Sequence, residues 1–156
     1  MNSIFAHILT AVMNMNESKN LLTSILTTAQ MGQTGIRSTL QTPMRSTLRR
    51  ALETQLREYD AIEQQAQAIA GSRGWELREL EPAAKGMANF MTRMRLSTGS
   101  TDSKIAAMMI QGNTKGMITG LKELHQFNKS DPQVTALSQK LLDCETAGIR
   151  QMQGFL

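Results

Sequence analysis

Three glycines recur every four residues in a stretch of the chain that otherwise has the spacing of a helix. The stretch is residues 105–124, IAAMMIQGNTKGMITGLKEL, and its glycines are Gly112, Gly116 and Gly120. Each glycine inside a helix costs about 0.5–1 kcal/mol relative to alanine. Three on one face predict that the helix bends or that something packs very close to it. We expect a partner helix, such as the one with Gly32 and Gly35, or a second subunit.

Hydrophobic residues at helical spacing predict four long helices and a short one, with almost no strand signal. The predicted segments are residues 18–41, 43–70, 82–95, 103–127 and 132 to almost the end of the chain. Pro43, Pro82 and Pro132 each stand where a helix is predicted to start, the helical position that tolerates proline best. The last helix has the most regular apolar stripe, formed by Val134, Leu137, Leu141, Cys144, Gly148, Met152 and Phe155. Such a stripe is typical of packing in a bundle.

Residues 1–17 precede the first regular stripe. The segment SIFAHILTAVM within them is apolar, but no basic residue precedes it and no small-residue cleavage site follows it. We therefore expect a lead-in helix or a flexible segment rather than a signal peptide. The helical bundle itself is expected to be one domain, residues 18–156.

The lengths of the predicted connections favour one topology. The first two long helices are joined by a tight turn, and so are the last two, which predicts two antiparallel hairpins. About 30 residues with a short helix lie between the hairpins, enough to run the length of the bundle. Two hairpins joined by a long crossover form the ferritin-like arrangement, an all-α four-helix bundle. An array of five up-and-down helices is the main alternative.

Composition excludes several kinds of protein. The single cysteine, Cys144, excludes an internal disulfide and a cysteine-rich zinc site. No apolar run approaches the roughly 20 residues of a membrane-spanning helix, so integral membrane association is not expected. The cysteine content is compatible with a reducing compartment, and we expect a cytoplasmic location.

Four short motifs carry a resemblance to a known family. They are LRR at residues 48–50, QLREY at 55–59, GW at 74–75 and AAMMIQG at 106–112. With them the chain, from about residue 18 to its end, resembles ferritin-like four-helix-bundle families of Gram-positive bacteria, including spore coat protein F-like domains and related uncharacterised proteins. The resemblance implies the bundle fold and a structural or stress-related setting, with association with the spore as the alternative location. It implies no established reaction.

The ferritin-like fold often holds two iron or manganese ions, and the ligands of such a centre are missing from this sequence. The usual set is a Glu on each of two helices and Glu-x-x-His on each of the other two. Three residues before His7 and His125 stand Ile4 and Lys122, and Gly148 occupies the histidine position after Glu145. We expect no metal, no cofactor and no catalytic residue. The carboxylates of the second long helix, Glu53, Glu58, Asp60 and Glu63, are expected on a solvated face.

The positive charge, +4 overall, is unevenly distributed. In the two-hairpin topology one end of the bundle collects a set of cations that we call the basic end: Arg45, Arg49, Arg50, Arg93, Arg95 and Lys104. Cations at helix N-termini are electrostatically unfavourable and attract anions, so the basic end is a candidate site for phosphate, polyphosphate, nucleic acid or an acidic protein. A solvated face with local ion pairs is the alternative. Because aromatic residues are scarce, a base-stacking surface is not expected.

These observations lead to one expected function and two alternatives. The expected protein is non-enzymatic, with a structural or protein-interaction role, and self-associates, with a dimer favoured. The first alternative is an anion-binding module that uses the basic end. The second is a degenerate metal or redox protein derived from ferritin-like oxidases.

Overall fold

The structure, a computed structural model, describes residues 2–78 and 101–156. In these residues all regular secondary structure is helical and falls into four long helices. They are α1, Asn2–Thr39; α2, Ser46–Ser72; α3, Thr101–Gln126; and α4, Pro132–Gln153. The all-α fold and the four long helices of the sequence analysis are thereby confirmed, whereas the short helix predicted at 82–95 lies outside the described residues.

The first helix is longer than the sequence analysis expected. It begins at Asn2 and continues without a break into the part that packs in the bundle, which starts at Ser18. No glycine or proline stands between Asn2 and Met31, so nothing ends or kinks the helix there. Residues 1–17 were expected to form a lead-in helix or a flexible segment, and residues 2–17 form the first half of α1.

The second helix begins three residues later than expected. Pro43 was predicted at its first position, but the chain stays extended as far as Arg45, which occupies the N-cap without a side-chain cap. Asp102 of α3 accepts hydrogen bonds from the backbone N–H and the guanidinium of Arg45. These bonds are compatible with the extended backbone and hold it beside α3. At the other end of α2, Gly74 has a φ of +66°, a left-handed conformation that favours glycine.

Two antiparallel hairpins, α1–α2 and α3–α4, make up the bundle. The ion pair of Arg45 with Asp102 fixes the start of α3 beside the α1–α2 turn. At the opposite end, Arg73 after α2 donates to Asp131 before α4 (2.6 Å), and the backbone N–H of Asp131 donates to Ser18 (2.8 Å). Helices α2 and α3 therefore run parallel, and the end of α2 and the start of α3 lie at opposite ends of the bundle.

The core between the hairpins consists of aliphatic and methionine side chains. Leu21, Leu22, Leu48, Leu52 and Ile105 are fully buried in it. The predicted stripe of the last helix also faces it, from Val134 to Met152. At the end of α2, Trp75 packs partly buried against the core, and the guanidinium of Arg73 lies 5.3 Å from the centre of its ring. The helices that line the candidate site are thus fixed by ordinary apolar packing.

Candidate functional site

A groove with a volume of about 380 Å³ opens between α1 and α3. These two helices make less contact with each other than either makes with its hairpin partner. Threonine and methionine side chains and the backbone of glycines form most of its walls, with Gly32 and Gly35 on α1 facing Gly112 and Gly116 on α3. The volume lies within the range of small-molecule sites in proteins, about 300–1,000 Å³.

Side chains, rather than the backbone of another helix, approach the glycines of α3. A Cβ atom on Gly116 would lie 2.7 Å from Oε1 of Glu145, and one on Gly120 would lie 3.0 Å from a methyl group of Leu142. Both neighbours are side chains of α4. A Cβ on Gly112 would have no atom within 4 Å. Two of the three glycines therefore make room for α4, and the third leaves the groove open.

Of the two glycines of α1, one is likewise in close contact with a neighbouring helix and the other has open space beside it. A Cβ on Gly32 would lie 2.5 Å from the ring of Tyr59 in α2, while one on Gly35 would have no atom within 4 Å. The close contacts of the glycines of α1 and α3 thus lie within each hairpin. Gly35 and Gly112 have open space beside them and line the groove between the hairpins.

Tyr59, Asn113 and Glu145, from three helices, lie at the floor of the groove, and Gln55 of α2 bonds to Asn113 behind them. The hydroxyl of Tyr59 lies 2.9 Å from Oε2 of Glu145 and 3.2 Å from Oδ1 of Asn113. The amide of Gln55 donates to the same Asn113 oxygen at 3.2 Å. All four side chains are buried, and Glu145 is only 2% exposed. Oε1 of Gln55 and Nδ2 of Asn113 have no hydrogen-bond partner among residues 2–78 and 101–156, which is costly inside a protein.

Burial controls the protonation of this cluster. It raises the pKa of Glu145 from its ordinary 4.5 to about 7, although the hydrogen bond from Tyr59 acts in the opposite direction. Burial, and then the nearby Glu145 charge, raise the pKa of Tyr59 well above 10, so its hydroxyl keeps its proton. When Glu145 is ionised, Tyr59 donates to it. When Glu145 is neutral, its own proton can bond the Tyr59 oxygen, and Tyr59 then donates to Asn113.

None of the four residues is among the site residues predicted from the sequence. Glu145 enters that prediction only as a possible metal ligand, excluded because Gly148 stands where the motif needs a histidine. The spacing nevertheless indicates burial: Glu145 lies four residues after Leu141 and three before Gly148, both on the buried stripe of the helix.

The cysteine and the carboxylates of α2 have partners of their own. The Cys144 thiol donates to Glu58 at 3.2 Å, and burial is the main cause that raises its pKa, so it is a protonated, unreactive thiol. Glu63 accepts from Gln33 and Gln30 of α1, and Asp60 pairs with Arg37 at 3.2 Å. The acidic face predicted for this helix is thus partly used to join it to its neighbours.

Metal-ligating side chains are dispersed in the described part of the chain. Across residues 2–78 and 101–156 no three His, Cys, Asp or Glu side chains come together as they would around a metal ion. His7 lies on the exposed part of α1 and bonds the carbonyl of Ser3, and His125 is exposed near the end of α3.

The structure places four of the six residues of the basic end. Arg45 pairs with Asp102, and Arg49 donates to the carbonyls of Leu40 (3.0 Å) and Thr42 (3.4 Å), where it caps the end of α1. Arg50 is exposed and Lys104 half-buried, and the side chain of neither forms a hydrogen bond or ion pair with a described residue. Arg93 and Arg95 lie outside the described residues.

The first half of α1, residues 2–17, projects beyond the packed part of the bundle, and we call it the N-terminal arm. Its large apolar side chains are between 43% and 70% exposed: Ile4, Phe5, Ile8, Leu9, Val12, Met13 and Met15. Contiguous exposed apolar surface of this kind marks an interaction site or an aggregation hazard. No helix of the described residues is long and apolar enough to cross a membrane.

Comparison with known proteins identifies the fold but no family. No protein-family model matches the chain, and neither does any curated protein. Among solved structures, the crystal structure of a DUF305 fragment from Deinococcus radiodurans is similar, with a TM-score of 0.69 and 16% sequence identity. The similarity covers 88% of this chain and 93% of the fragment. At that identity the likeness concerns the fold alone, a small all-helical domain.

Proposed function

We propose that this protein is a non-enzymatic, ferritin-like helical bundle that acts by protein–protein association, first of all with a second copy of itself. The two antiparallel hairpins, with α2 and α3 parallel, support the ferritin-like topology. The exposed N-terminal arm is the observation that carries the interaction role.

The chemistry of the available side chains supports a non-enzymatic role. The described acids, histidines and cysteine do not form a ligand set for two metal ions, and the thiol of Cys144 is protonated and bonded to Glu58. A ferritin-like oxidase needs carboxylates and histidines that converge in the core. Metal analysis of the purified protein tests the remaining alternative, a degenerate metal or redox protein. A stoichiometric bound transition metal would contradict the non-metal proposal.

The N-terminal arm fits a second copy of the chain because it is apolar and nearly free of charge. Among residues 2–17 the only Asp, Glu, Lys or Arg is Glu17, so two arms can pack together without opposing like charges. The arm is about 24 Å long at 1.5 Å per residue. Burying its seven half-exposed apolar side chains in each copy offers roughly 5–10 kcal/mol per copy before the cost of association is subtracted.

The mass of the protein in solution tests this pairing. We expect a dimer by light scattering at micromolar concentration, and a monomer when Phe5→Glu and Ile8→Glu are combined, since two charges on the arm make its burial costly. The matched control is Ile118→Glu, a similar change at a residue of α3 that is 46% exposed. This control should remain a dimer. A monomeric wild-type protein at several hundred micromolar, or an unchanged mass for the arm variant, would contradict the proposal.

The anion-binding alternative rests on the cations of the basic end that stay accessible. The side chain of Arg45 is 69% exposed despite its ion pair, and the side chains of Arg50 and Lys104 form no hydrogen bond or ion pair with a described residue. Arg49 is a weaker candidate because its guanidinium caps α1. Binding to heparin or polyphosphate that weakens steeply with salt would favour this alternative, and so would its loss on Arg50→Ala with Lys104→Ala.

A further inference from the structure

Glu145 presents one unpaired carboxylate oxygen to the groove. Its Oε2 accepts from Tyr59, but its Oε1 has no described hydrogen-bond donor. The side chain is 2% exposed and still forms part of the groove floor. Gly116 provides the opening, since a Cβ there would stand 2.7 Å from Oε1. Oε1 is thus open to the groove and can accept a hydrogen bond from a ligand that enters it.

We propose that the groove between α1 and α3 is a binding site for a small amine, whose protonated amino group pairs with Oε1 of Glu145 and whose apolar body lies along the groove walls. This site is separate from the N-terminal arm and does not depend on the proposed self-association.

The groove walls suit an aliphatic body. Met31 on α1 and Met108 and Met109 on α3 line the groove, and methionine side chains adapt to ligands of different shape. Threonine hydroxyls lie among them and can accept from an ammonium group. A volume of about 380 Å³ is sufficient for an amine with six or seven non-hydrogen atoms and some water.

The charges around the groove favour a cation with a single amino group. Among the described residues that line the groove Glu145 is the sole acid, which is too few carboxylates to hold a divalent metal ion. From α2 the group that faces Glu145 is the protonated Tyr59, and α1 contributes no charged side chain. From α3 the one charged side chain is Lys115, which is exposed at the groove and makes no ion pair with Glu145. An anionic ligand would face the unpaired carboxylate oxygen.

Titration with n-hexylamine, followed by calorimetry or NMR, tests the site in the intact protein. At pH 8 we expect saturable binding of one molecule per chain, in the millimolar range or tighter for so small a ligand. Hexanoate, which has the same length and the opposite charge, should bind at least tenfold more weakly. Binding should strengthen about tenfold from pH 6 to pH 8, because Glu145 becomes ionised in that interval while the amine stays charged.

Two matched pairs of variants locate the binding. Glu145→Gln keeps the shape and removes the charge, and should weaken hexylamine at least tenfold. Asp143→Asn, the same change at an exposed position of α4, should leave binding unchanged. Gly116→Ala places a methyl group against Oε1 and should abolish binding, whereas Gly112→Ala, which has open space beside it, should retain it.

Several outcomes would overturn the proposal. They are an absence of saturable hexylamine binding to the folded wild-type protein, equal affinity for hexanoate, equal affinity in Glu145→Gln, and an affinity that does not rise with pH. Because Glu145→Gln replaces a carboxyl group by an amide of the same size, the variant should fold, and circular dichroism establishes this before the titration.

Discussion

Raising the pH from 5 to 8 should lower the free energy of unfolding by about 2–3 kcal/mol. The cause is Glu145, whose pKa is raised to about 7 in the folded protein from its ordinary value of 4.5, which applies to the unfolded chain. Between these values the folded protein keeps the proton while the unfolded chain releases it, so unfolding becomes more favourable as the pH rises. Below pH 4 both states are protonated, and above pH 8 both are ionised, so the change is confined to this interval.

Urea denaturation at a series of pH values measures the effect, and Glu145→Gln is the decisive variant. The variant should be the more stable protein at pH 8 and should lose most of the slope. Glu123, half-buried in α3, has a pKa that burial also raises, and it should leave a smaller slope in the same direction. A wild-type stability that is constant or rises between pH 5 and 8 would show that Glu145 is ionised throughout.

A second carboxylate with a perturbed pKa titrates in the opposite direction and at lower pH. The hydrogen bond from Arg73 is the main cause that lowers the pKa of Asp131 below its ordinary 3.8. Its contribution to stability is present above pH 4 and is lost as the pH falls further. Since the two effects occupy different intervals, the protein should be most stable near pH 4–5, well below its isoelectric point of about 9.6.

The long-range arrangement of the helices could be predicted from the sequence because short connections and apolar stripes constrain it. The turn around Pro43 and the turn before Pro132 are short, so the two helices that each turn joins must be antiparallel neighbours. The start of α1 could not be located in the same way. Residues 2–16 have helix-forming composition, but the described part of the chain leaves almost all of them exposed, and a sequence pattern does not distinguish an exposed helix from a flexible segment.

The buried polar cluster was beyond sequence reasoning for a different physical reason. Each of its members has an ordinary exposed role elsewhere, and what places them together is the packing of three helices. Glu145 and Asn113 become buried because Gly116 and Gly148 allow α3, α4 and α2 to approach there. The glycine row of α3 was therefore the correct feature to examine, and its meaning depended on the side chains of Glu145 and Leu142 in the next helix, which the spacing of the glycines does not reveal.

The basic end illustrates the limit of arguments from charge. Counting cations brought Arg45, Arg49 and Arg50 together as one site, but their neighbours differ. Arg45 has the carboxylate of Asp102, and Arg49 has the carbonyls at the end of α1. A helix C-terminus is itself negative, so a guanidinium placed there is already stabilised. Only the positions of the neighbouring groups separate an arginine that supports the fold from one that can bind an anion.

The largest loss of stability from a single added methyl group is expected at Gly148. Its backbone lies against the amides of Gln55 and Asn113, and a Cβ would overlap Gln55 and come within 2.5 Å of Nδ2 of Asn113. Both amides are buried and bonded to each other, so neither can move without breaking that bond. We expect Gly148→Ala to lower the free energy of unfolding by about 3 kcal/mol. Overpacking and the lost buried hydrogen bond are together larger than the gain in helix propensity.

Two comparisons in urea denaturation isolate the cause of that loss. Gly112→Ala adds the same methyl group where no atom lies within 4 Å, and should stabilise the protein by about 0.5–1 kcal/mol. Gln55→Ala removes the side chain that the new methyl group would meet. The double variant Gly148→Ala with Gln55→Ala should therefore lose clearly less stability than the sum of the losses of the two single variants. If the costs are additive, or if Gly148→Ala is as stable as the wild type, the approach of α2 and α3 to α4 at Gly148 is looser than the structure describes.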